Sequence, residues 1–307
     1  MSEGASTQPA KPTRAGASFG ALSGALCLVT GAYGTLGSAI SRRLRQDGAE
    51  LLLVGRSADR LARLAEALGA GPAGDPSLRL VTVDLAAADA IERVVAAVEA
   101  AGGIDVLVNN AAIQGPIGPL WENDWDAWQA TIRMDLLVPV ALCRALVGFL
   151  GRGRRGKIIN ISGGGATGPR ANFSAYGAAK AGLVRFTETL AHEVRGRNID
   201  VNAVAPGTVA SAMTEAVLAA GAKRSGEKEI EAALEARADA STATLDKAAG
   251  LCAWLASPKS DGITGRLLAA LWDPWSTLDR RATPRRAVSG AATSVCCGTE
   301  GLRARWP

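Results

Sequence analysis

Histidine is almost missing from this chain of 307 residues: His192 is the only one. No second imidazole exists to share a metal and no nucleophile accompanies it, so a surface or interface role fits His192 better than catalysis. The five cysteines, Cys27, Cys143, Cys252, Cys296 and Cys297, are odd in number and show no metal-ligand spacing. No metal site is therefore expected. Cys27, Cys143 and Cys252 lie in apolar runs and read as small core residues. Cys296 and Cys297 are adjacent, and neighbours of that kind rarely bridge each other. The pattern suits a reducing compartment, and a cytoplasmic location is expected. No apolar run is long enough to span a bilayer, so no membrane partner is expected. The small-residue stretch from Ala15 to Val29 imitates a signal-peptide core, but its second half belongs to a strand and turn described below. Internal repeats are absent.

Charge is short of a consistent sign. The formal net charge is +5, but the segment from Asp279 onward contributes +4 and the first twenty residues +1. The part between is near neutral. The pI of 9.1 therefore belongs to the two ends and gives no reason to expect a nucleic-acid partner. A hydrophobic fraction of 48% and a charged fraction of 21% are ordinary for a folded chain. The length allows one large α/β domain with tails. Residues 1–20 and 279–307 carry Pro, Arg, Ser and Gly without periodicity and are expected to be disordered, leaving 21–278 as a single domain.

What is present is an alternation of strand and helix, the pattern of a parallel sheet covered on both faces. Strands are expected at Ala25–Thr30, Glu50–Val54, Arg79–Asp84, Val106–Asn109, Lys157–Ser162, Asp200–Ala205 and Leu267–Leu271. Helices are expected at Leu36–Gln46, Ala58–Leu68, Ala86–Ala101, Trp121–Leu150, Phe173–Arg195 and Leu245–Ala256. The Ala- and charge-rich stretch Thr208–Thr244 reads as one or two helices.

Two motifs carry chemistry. The first is Leu26-Cys-Leu-Val-Thr-Gly-Ala-Tyr-Gly-Thr-Leu-Gly37, a strand running into a glycine turn and a helix. Glycines there let backbone approach a diphosphate, and a helix N-terminus supplies donors and a positive dipole end. Turns also use glycine, so the position directly after the first strand is what gives the motif weight. The second is Ser174-Ala-Tyr-Gly-Ala-Ala-Lys180. On a helix, Tyr176 and Lys180 share a face one turn apart. An ammonium beside a phenol favours the phenolate, so the tyrosine is expected to have a lowered pKa and to exchange protons with a substrate oxygen.

With Asp84, Asn109-Asn110-Ala111 and Pro206-Gly207 added in order, the chain resembles the short-chain dehydrogenase/reductase superfamily over roughly Ala21 to Trp275. The resemblance implies a doubly wound parallel sheet, a Rossmann fold of about seven strands with helices on both faces. It implies an NAD(P)-dependent oxidoreductase interconverting a secondary alcohol and a ketone, a small-molecule substrate, and a homodimer or homotetramer built on the helices Trp121–Leu150 and Phe173–Arg195. Tyr176 becomes the general acid/base and Lys180 its helper and ribose contact. Cofactor contacts are expected from Gly31, Tyr33, Gly34, Thr35, Leu36, Gly37, Arg56, Asp84, Leu85, Asn110, Ala111, Pro206, Gly207, Val209 and Ser211. The segment 208–244 caps the substrate. At the end of the second strand Gly55 stands where an NAD-preferring site places a carboxylate, and Arg56 follows. NADP(H) is therefore favoured, with NAD(H) also acceptable.

Three departures qualify the resemblance. Thr35 stands at the middle glycine of the turn, where a β-branched residue is stiff. Gly163 stands at the family's catalytic serine, which leaves Ser162, one residue earlier, as the candidate donor to the substrate oxygen; a regular strand would point it to the opposite face, and the Gly163–Gly165 run could turn it inward. Asp135 stands at the asparagine of the proton relay, where it could anchor a water or pair with Arg133 or Lys180, and where its negative charge would raise the Tyr176 pKa against the effect of the lysine. These leave two alternatives open: a nucleotide-binding scaffold without turnover, and epimerase- or dehydratase-type chemistry on a sugar-like substrate. Trp272 and Trp275 motivate the last by offering rings for stacking. Trp121, Trp125 and Trp128 space as one helical face and read as packing or an interface.

Overall fold

Five consecutive buried residues, Leu26–Thr30, form the strand β1 from which the rest is laid out. A strand covered on both faces needs no polar alternation, which is why LCLVT and ELLLVG are continuous apolar runs. The structure is a computed structural model, and it describes residues 20–71, 74–239 and 241–278. The expectations of disorder for 1–20 and 279–307, and the pair Cys296-Cys297, lie almost wholly outside that range.

The remaining strands are β2 (Glu50–Gly55), β3 (Leu78–Thr82), β4 (Val106–Asn109), β5 (Gly156–Ile161), β6 (Ile199–Ala205) and β7 (Arg266–Ala269). They form one seven-stranded sheet in the order β3-β2-β1-β4-β5-β6-β7. Every pairing is parallel. This is the doubly wound Rossmann-like arrangement. The helices are α1 (Thr35–Gln46), α2 (Ala58–Ala67), α3 (Ala90–Ala100), α4 (Trp125–Ile132), α5 (Val138–Leu146), α6 (Ser174–Glu193), α7 (Ala212–Ser225), α8 (Glu227–Ala238) and α9 (Ala243–Ala256).

Two cores result, one per face. Leu44 of α1, Leu61 and Leu64 of α2 and Leu251 and Leu255 of α9 pack on Val29, Leu51, Leu53 and Ile159. Val94 of α3, Leu142 and Leu146 of α5 and Leu190 of α6 pack on Leu28, Leu52, Leu107 and Ile158 on the other face. Cys27 and Cys252 belong to the first core and Cys143 to the second. Burial raises all three thiols, Cys143 and Cys252 to about 12. They are packing residues, as expected.

Strand order reverses beside β1, between β2 and β4, so a crevice opens at their C-terminal ends. Thr30 fixes that point. Its hydroxyl accepts the backbone N–H of Asn110 at 2.9 Å and of Ala111 at 3.0 Å, stitching β4's exit to β1's.

Local differences from expectation have physical causes. β3 stops at Thr82, because Asp84 turns the chain: its Oδ1 accepts Ala86 N at 3.0 Å and its carbonyl accepts Ala87 N. The expected helix Trp121–Leu150 is interrupted. Trp121 sits in a separate single 3₁₀ turn, Leu120–Glu122, and a π turn, Arg133–Leu137, separates α4 from α5. Trp121 is 85% exposed, and Trp125 stacks on Trp128 with ring centroids 5.0 Å apart. The three tryptophans therefore do not share one helical face.

Candidate active site

The glycine turn is held open by its own backbone. Gly31 has a left-handed φ of +62°. A Cβ on Gly37 would lie 2.2 Å from the Gly31 carbonyl oxygen and 2.8 Å from Asn110 Nδ2, so glycine is required there. The Asn110 amide donates to the carbonyls of Thr30 at 2.9 Å and Gly31 at 3.2 Å, fixing the turn from the β4 side. α1 begins with Gly34 as N-cap, with no side-chain cap and no acidic residue in its first turn. Among the described residues nothing accepts the N–H groups of Thr35, Leu36 or Gly37. That donor set, at the positive end of a helix dipole, fits a dinucleotide diphosphate. Thr35, the first residue of α1, is exposed.

The crevice's outer end is shaped by Tyr33. A Cβ on Gly55 would lie 2.5 Å from Tyr33 Cε1, so the tyrosine ring fills the place where a side chain on residue 55 would start. The Arg60 guanidinium stacks on that ring at 4.2 Å, and its Nη2 reaches the Tyr33 carbonyl at 3.5 Å. Tyr33, Ser38, Arg60, Arg63 and Leu64 line a cleft of about 220 Å³. Arg56 is exposed nearby, at the end of β2. Sequence reasoning named Tyr33 and Arg56 but missed Arg60 and Arg63. Their positions three apart on a helix directly after β2 were the available signal.

At the inner end, Tyr176 and Lys180 lie on one face of α6, both buried. The Lys180 ammonium is 5.4 Å from the Tyr176 ring centroid. It donates to the Ile161 carbonyl at the end of β5 (3.1 Å) and lies 3.3 Å from Asp135 Oδ2. Asp135 is fully buried in the π turn, and its Oδ1 accepts Ile113 N at 2.8 Å. Of the partners foreseen for Asp135, the structure selects Lys180. Burial holds the Asp135 carboxyl above the usual carboxylate range, opposed by the Lys180 charge and the Ile113 N–H. Tyr176 likewise differs from the expected lowering. Burial raises its pKa, and the charges of Lys180 and Arg170, which pull it down, do not overcome burial plus the opposing Asp135.

The Tyr176 hydroxyl rests against Gly163: a Cβ there would lie 2.3 Å from it. Ser162 continues the ladder, its N–H donating to Val204 O at 2.8 Å. Its Oγ is buried with no hydrogen-bond partner. Ser162 therefore makes no bond to Tyr176, and residue 163 is the one that touches the phenol.

Other expected contacts fall around the crevice mouth. Asp84 and Leu85 follow β3, Asp84 exposed and Leu85 buried. Pro206 and Gly207 follow β6, and Gly207 has φ +87°. Val209 lies in the same loop. Ser211 caps α7, its N–H donating to Thr214 Oγ1 at 2.8 Å. α7 and α8 then fold over Phe173, with Val217 and Ala233 packed on it. Arg170, also missed in the sequence, lies here: its guanidinium sits 3.9 Å over the Phe173 ring and 5.6 Å from the Tyr176 ring. Trp275 is packed, with Nε1 donating to Ala270 O at 3.1 Å and its ring tilted against Trp254. Trp272 is 83% exposed, so the two rings do not form a shared stacking surface. His192 is exposed beside Arg195, away from Tyr176. Among the described residues no cluster of His, Cys, Asp or Glu could hold a metal, and no helix is long and apolar enough to cross a membrane.

Comparison with known proteins places this arrangement. Residues 25–221 match the family described as short chain dehydrogenase. Nodulation protein G of Rhizobium sp. (strain N33) is 35% identical over 251 residues, 80% of this chain and 95% of that protein. The 3-oxoacyl-[acyl-carrier-protein] reductase of Thermotoga maritima is 33% identical over 250 residues, covering 80% and 96%. Among solved structures, a protein regarded as an NAD(P)-dependent gluconate 5-dehydrogenase from Beutenbergia cavernae, with NADP bound at low occupancy, superposes with a TM-score of 0.67. It is 30% identical, and the match covers 81% of this chain and 96% of that one.

Proposed function

The chain belongs to the short chain dehydrogenase family, and from that premise we propose that it is an NAD(P)(H)-dependent oxidoreductase interconverting a secondary alcohol and a ketone. The observation that carries the reading is the convergence of two things on one crevice: open N–H donors at the start of α1, and a buried tyrosine–lysine pair at the end of β5. When bound, the nicotinamide supplies or accepts the hydride.

The chain's own residues do the rest. In reduction, Tyr176 gives its phenol proton to the substrate oxygen as that oxygen gains charge; in oxidation it takes the proton back. Lys180 stabilises the phenolate and offers its remaining proton to the cofactor ribose. Asp135 balances the Lys180 charge and holds the loop at Ile113. Ser162 supports the reaction only if a shift of the Gly163–Gly165 run turns its free hydroxyl toward the substrate. Phe173, α7 and α8 exclude water. Gly31, Gly34, Leu36, Gly37, Asn110 and Ala111 form the diphosphate cradle, with Asp84 and Leu85 toward the adenine and Pro206, Gly207, Val209 and Ser211 toward the nicotinamide.

NADP(H) is the favoured cofactor. The Tyr33 ring leaves no space for a carboxylate on residue 55, Arg60 and Arg63 line the cleft beside that ring, and Arg56 is exposed directly after β2; together they would supply positive charge to a 2′-phosphate. The test is titration of NADPH and NADH into wild type, Arg56→Ala and Arg60→Ala, followed by an alcohol panel. Tighter NADPH binding that an arginine substitution abolishes supports the reading. Failure of both cofactors to bind below millimolar overturns it. A second reading, a nucleotide-binding protein without turnover, draws on the unpartnered Ser162 Oγ and the bare Gly163. It predicts tight cofactor binding and no change on Tyr176→Phe.

The chain acts as a homo-oligomer through the α4–α5 and α6 faces, where Leu120, Trp125 and Leu137 are exposed. Sedimentation as a monomer at micromolar concentration would rule this out.

A further inference from the structure

Arg170 has no role in the residue set above, yet it is a charged side chain taken out of water beside the reacting phenol. Its side chain is only 16% exposed. Its stem lies along the glycine run: a Cβ on Gly164 would be 3.5 Å from Arg170 Cδ and Nε, and one on Gly165 would be 3.3 Å from Arg170 Cβ. Glycines thus make room for the arginine, and the guanidinium is delivered over Phe173 and toward Tyr176. Lys180, 5.4 Å from the Tyr176 ring centroid, is paired with Asp135. Arg170, at 5.6 Å, is the other positive charge beside the tyrosine and is not held by Asp135.

What neutralises it comes from the cap. Glu229, in the first turn of α8, accepts from Arg170 Nη2 at 2.7 Å. Among the described residues this is the only carboxylate paired with Arg170, and Nε and Nη1 have no hydrogen-bond partner. A guanidinium presents a planar fork that matches both oxygens of a carboxylate. Here Nε and Nη1 are unused, on a guanidinium whose Cζ lies 5.6 Å from the Tyr176 ring centroid.

We propose that Arg170 binds the substrate, and that the substrate is a keto acid or the corresponding hydroxy acid whose carboxylate competes with Glu229 for the guanidinium. The inference rests on the oxidoreductase reading and names its substrate class. In the reduction, the hydride adds to the ketone carbon, the Tyr176 proton adds to its oxygen, and the carboxylate is unchanged. A neutral ketone of the same size leaves Arg170 on Glu229 and gains nothing from the site.

The experiment compares pyruvate, acetoacetate and levulinate, which move the carboxylate successively further from the ketone, each against its methyl ester. Reduction by the preferred cofactor is followed in wild type, Arg170→Ala, Arg170→Lys and Glu229→Gln, and binding to the cofactor complex is read from nicotinamide fluorescence. At least one acid is expected to exceed its ester in kcat/KM by about 10- to 100-fold, the worth of a charge-assisted hydrogen bond. Arg170→Ala brings that ratio near one, Arg170→Lys restores part of it, and Glu229→Gln raises it by removing the competitor. Esters equal to or better than acids overturn the proposal. So does an equal loss on acid and ester in Arg170→Ala, which would make the ion pair a latch on α8 alone. So does the absence of both turnover and binding for every acid. In that last case intact cofactor binding and activity on neutral ketones leave the oxidoreductase reading standing, whereas loss of cofactor binding removes both.

Discussion

The Tyr176 hydroxyl occupies the space in which a side chain on residue 163 would begin: a Cβ added at Gly163 would lie 2.3 Å from that oxygen and 3.0 Å from two ring carbons. In this chain the phenol has settled onto bare backbone at residue 163. Restoring a side chain there does not simply restore a donor. Gly163→Ala and Gly163→Ser are expected to cost about 1–3 kcal/mol, the range for overpacking a filled site. Combining Gly163→Ala with Tyr176→Phe removes the closest contact, so the double mutant should be more stable than the sum of the two singles. Urea denaturation of the four proteins measures this coupling. Strict additivity would mean that the two residues do not touch.

Asp135 and Lys180 set the second expectation, which concerns pH. Tyr176 is raised above its ordinary value by burial and further by Asp135. A raised pKa keeps the phenol protonated to higher pH. Reduction, which needs the acid form, should therefore hold level through neutral pH and fall only in the alkaline range. Oxidation, which needs the phenolate, should climb over that same range. Asp135→Asn removes a negative charge beside the lysine, so both alkaline limbs should move to lower pH. The profile of kcat/KM reports groups of the free enzyme and is the measurement to make. A limb that stays in place would show that Asp135 does not influence the phenol.

If NADP(H) is preferred as proposed, a ring as well as charge guards that preference. With Tyr33 Cε1 only 2.5 Å from a Cβ on Gly55, Gly55→Asp cannot by itself install an NAD site. The single substitution should weaken both cofactors, because the tyrosine must leave its seat and Arg60 loses its stacking partner. Gly55→Asp with Tyr33→Ala should bind NADH more tightly than Gly55→Asp alone. Fluorescence titration of the three proteins tests this. NADH binding gained by the single mutant would show that the ring is free to move.

The turn itself tolerates less. A Cβ on Gly37 meets the Gly31 carbonyl oxygen at 2.2 Å, and backbone cannot step aside as a side-chain tip can. Gly37→Ala should cost about 3 kcal/mol or more and abolish binding of both dinucleotides. Gly34→Ala, whose Cβ would stand 3.3 Å from the same oxygen, should fold nearly as well as wild type. Thermal melts with and without cofactor separate the two. Equal behaviour would contradict the turn geometry.

How much of this was legible beforehand follows from the range of each interaction. Strands such as Leu26–Thr30 and Glu50–Gly55 are buried on both faces, so their apolar runs announce them, and the turn after β1 needs glycines at fixed steps. Tyr176 and Lys180 share a helix, so spacing alone puts them together. The break between α4 and α5 left one mark, Pro139, which lies inside the expected helix and sits in the first turn of α5; the π turn itself inserts a residue without changing composition. The rise of the Tyr176 pKa was half legible. The acidic residue at position 135 announced an opposing charge, whereas burial, the larger cause, acts across the fold and leaves no mark in the spacing of Tyr176 and Lys180. Arg60 and Arg170 drew no notice in the sequence, because the rings of Tyr33 and Phe173 come beneath their guanidinium groups only in the fold.

The edge of the sheet opposite the crevice carries stability without chemistry, and Lys157 is its centre. Its ammonium is 3% exposed and lies 2.9 Å from both Asp200 Oδ2 and Asp261 Oδ1, and it donates to Ser260 Oγ at 3.1 Å. Asp200 also accepts from Gly262 N at 2.9 Å and from Arg155 at 3.2 Å, tying β5, β6 and the approach to β7 together at their N-terminal ends. Lys157→Met keeps most of the volume but leaves a buried carboxylate without its main counter-charge. Breaking such a pair typically costs about 3–5 kcal/mol. Because Lys157 enters at the start of β5 and Tyr176 lies beyond its end, cofactor affinity at a temperature where the variant is folded should match wild type. Urea midpoints together with NADPH titration decide the matter. A loss of affinity as large as the loss of stability would mean that the two ends of β5 are mechanically coupled.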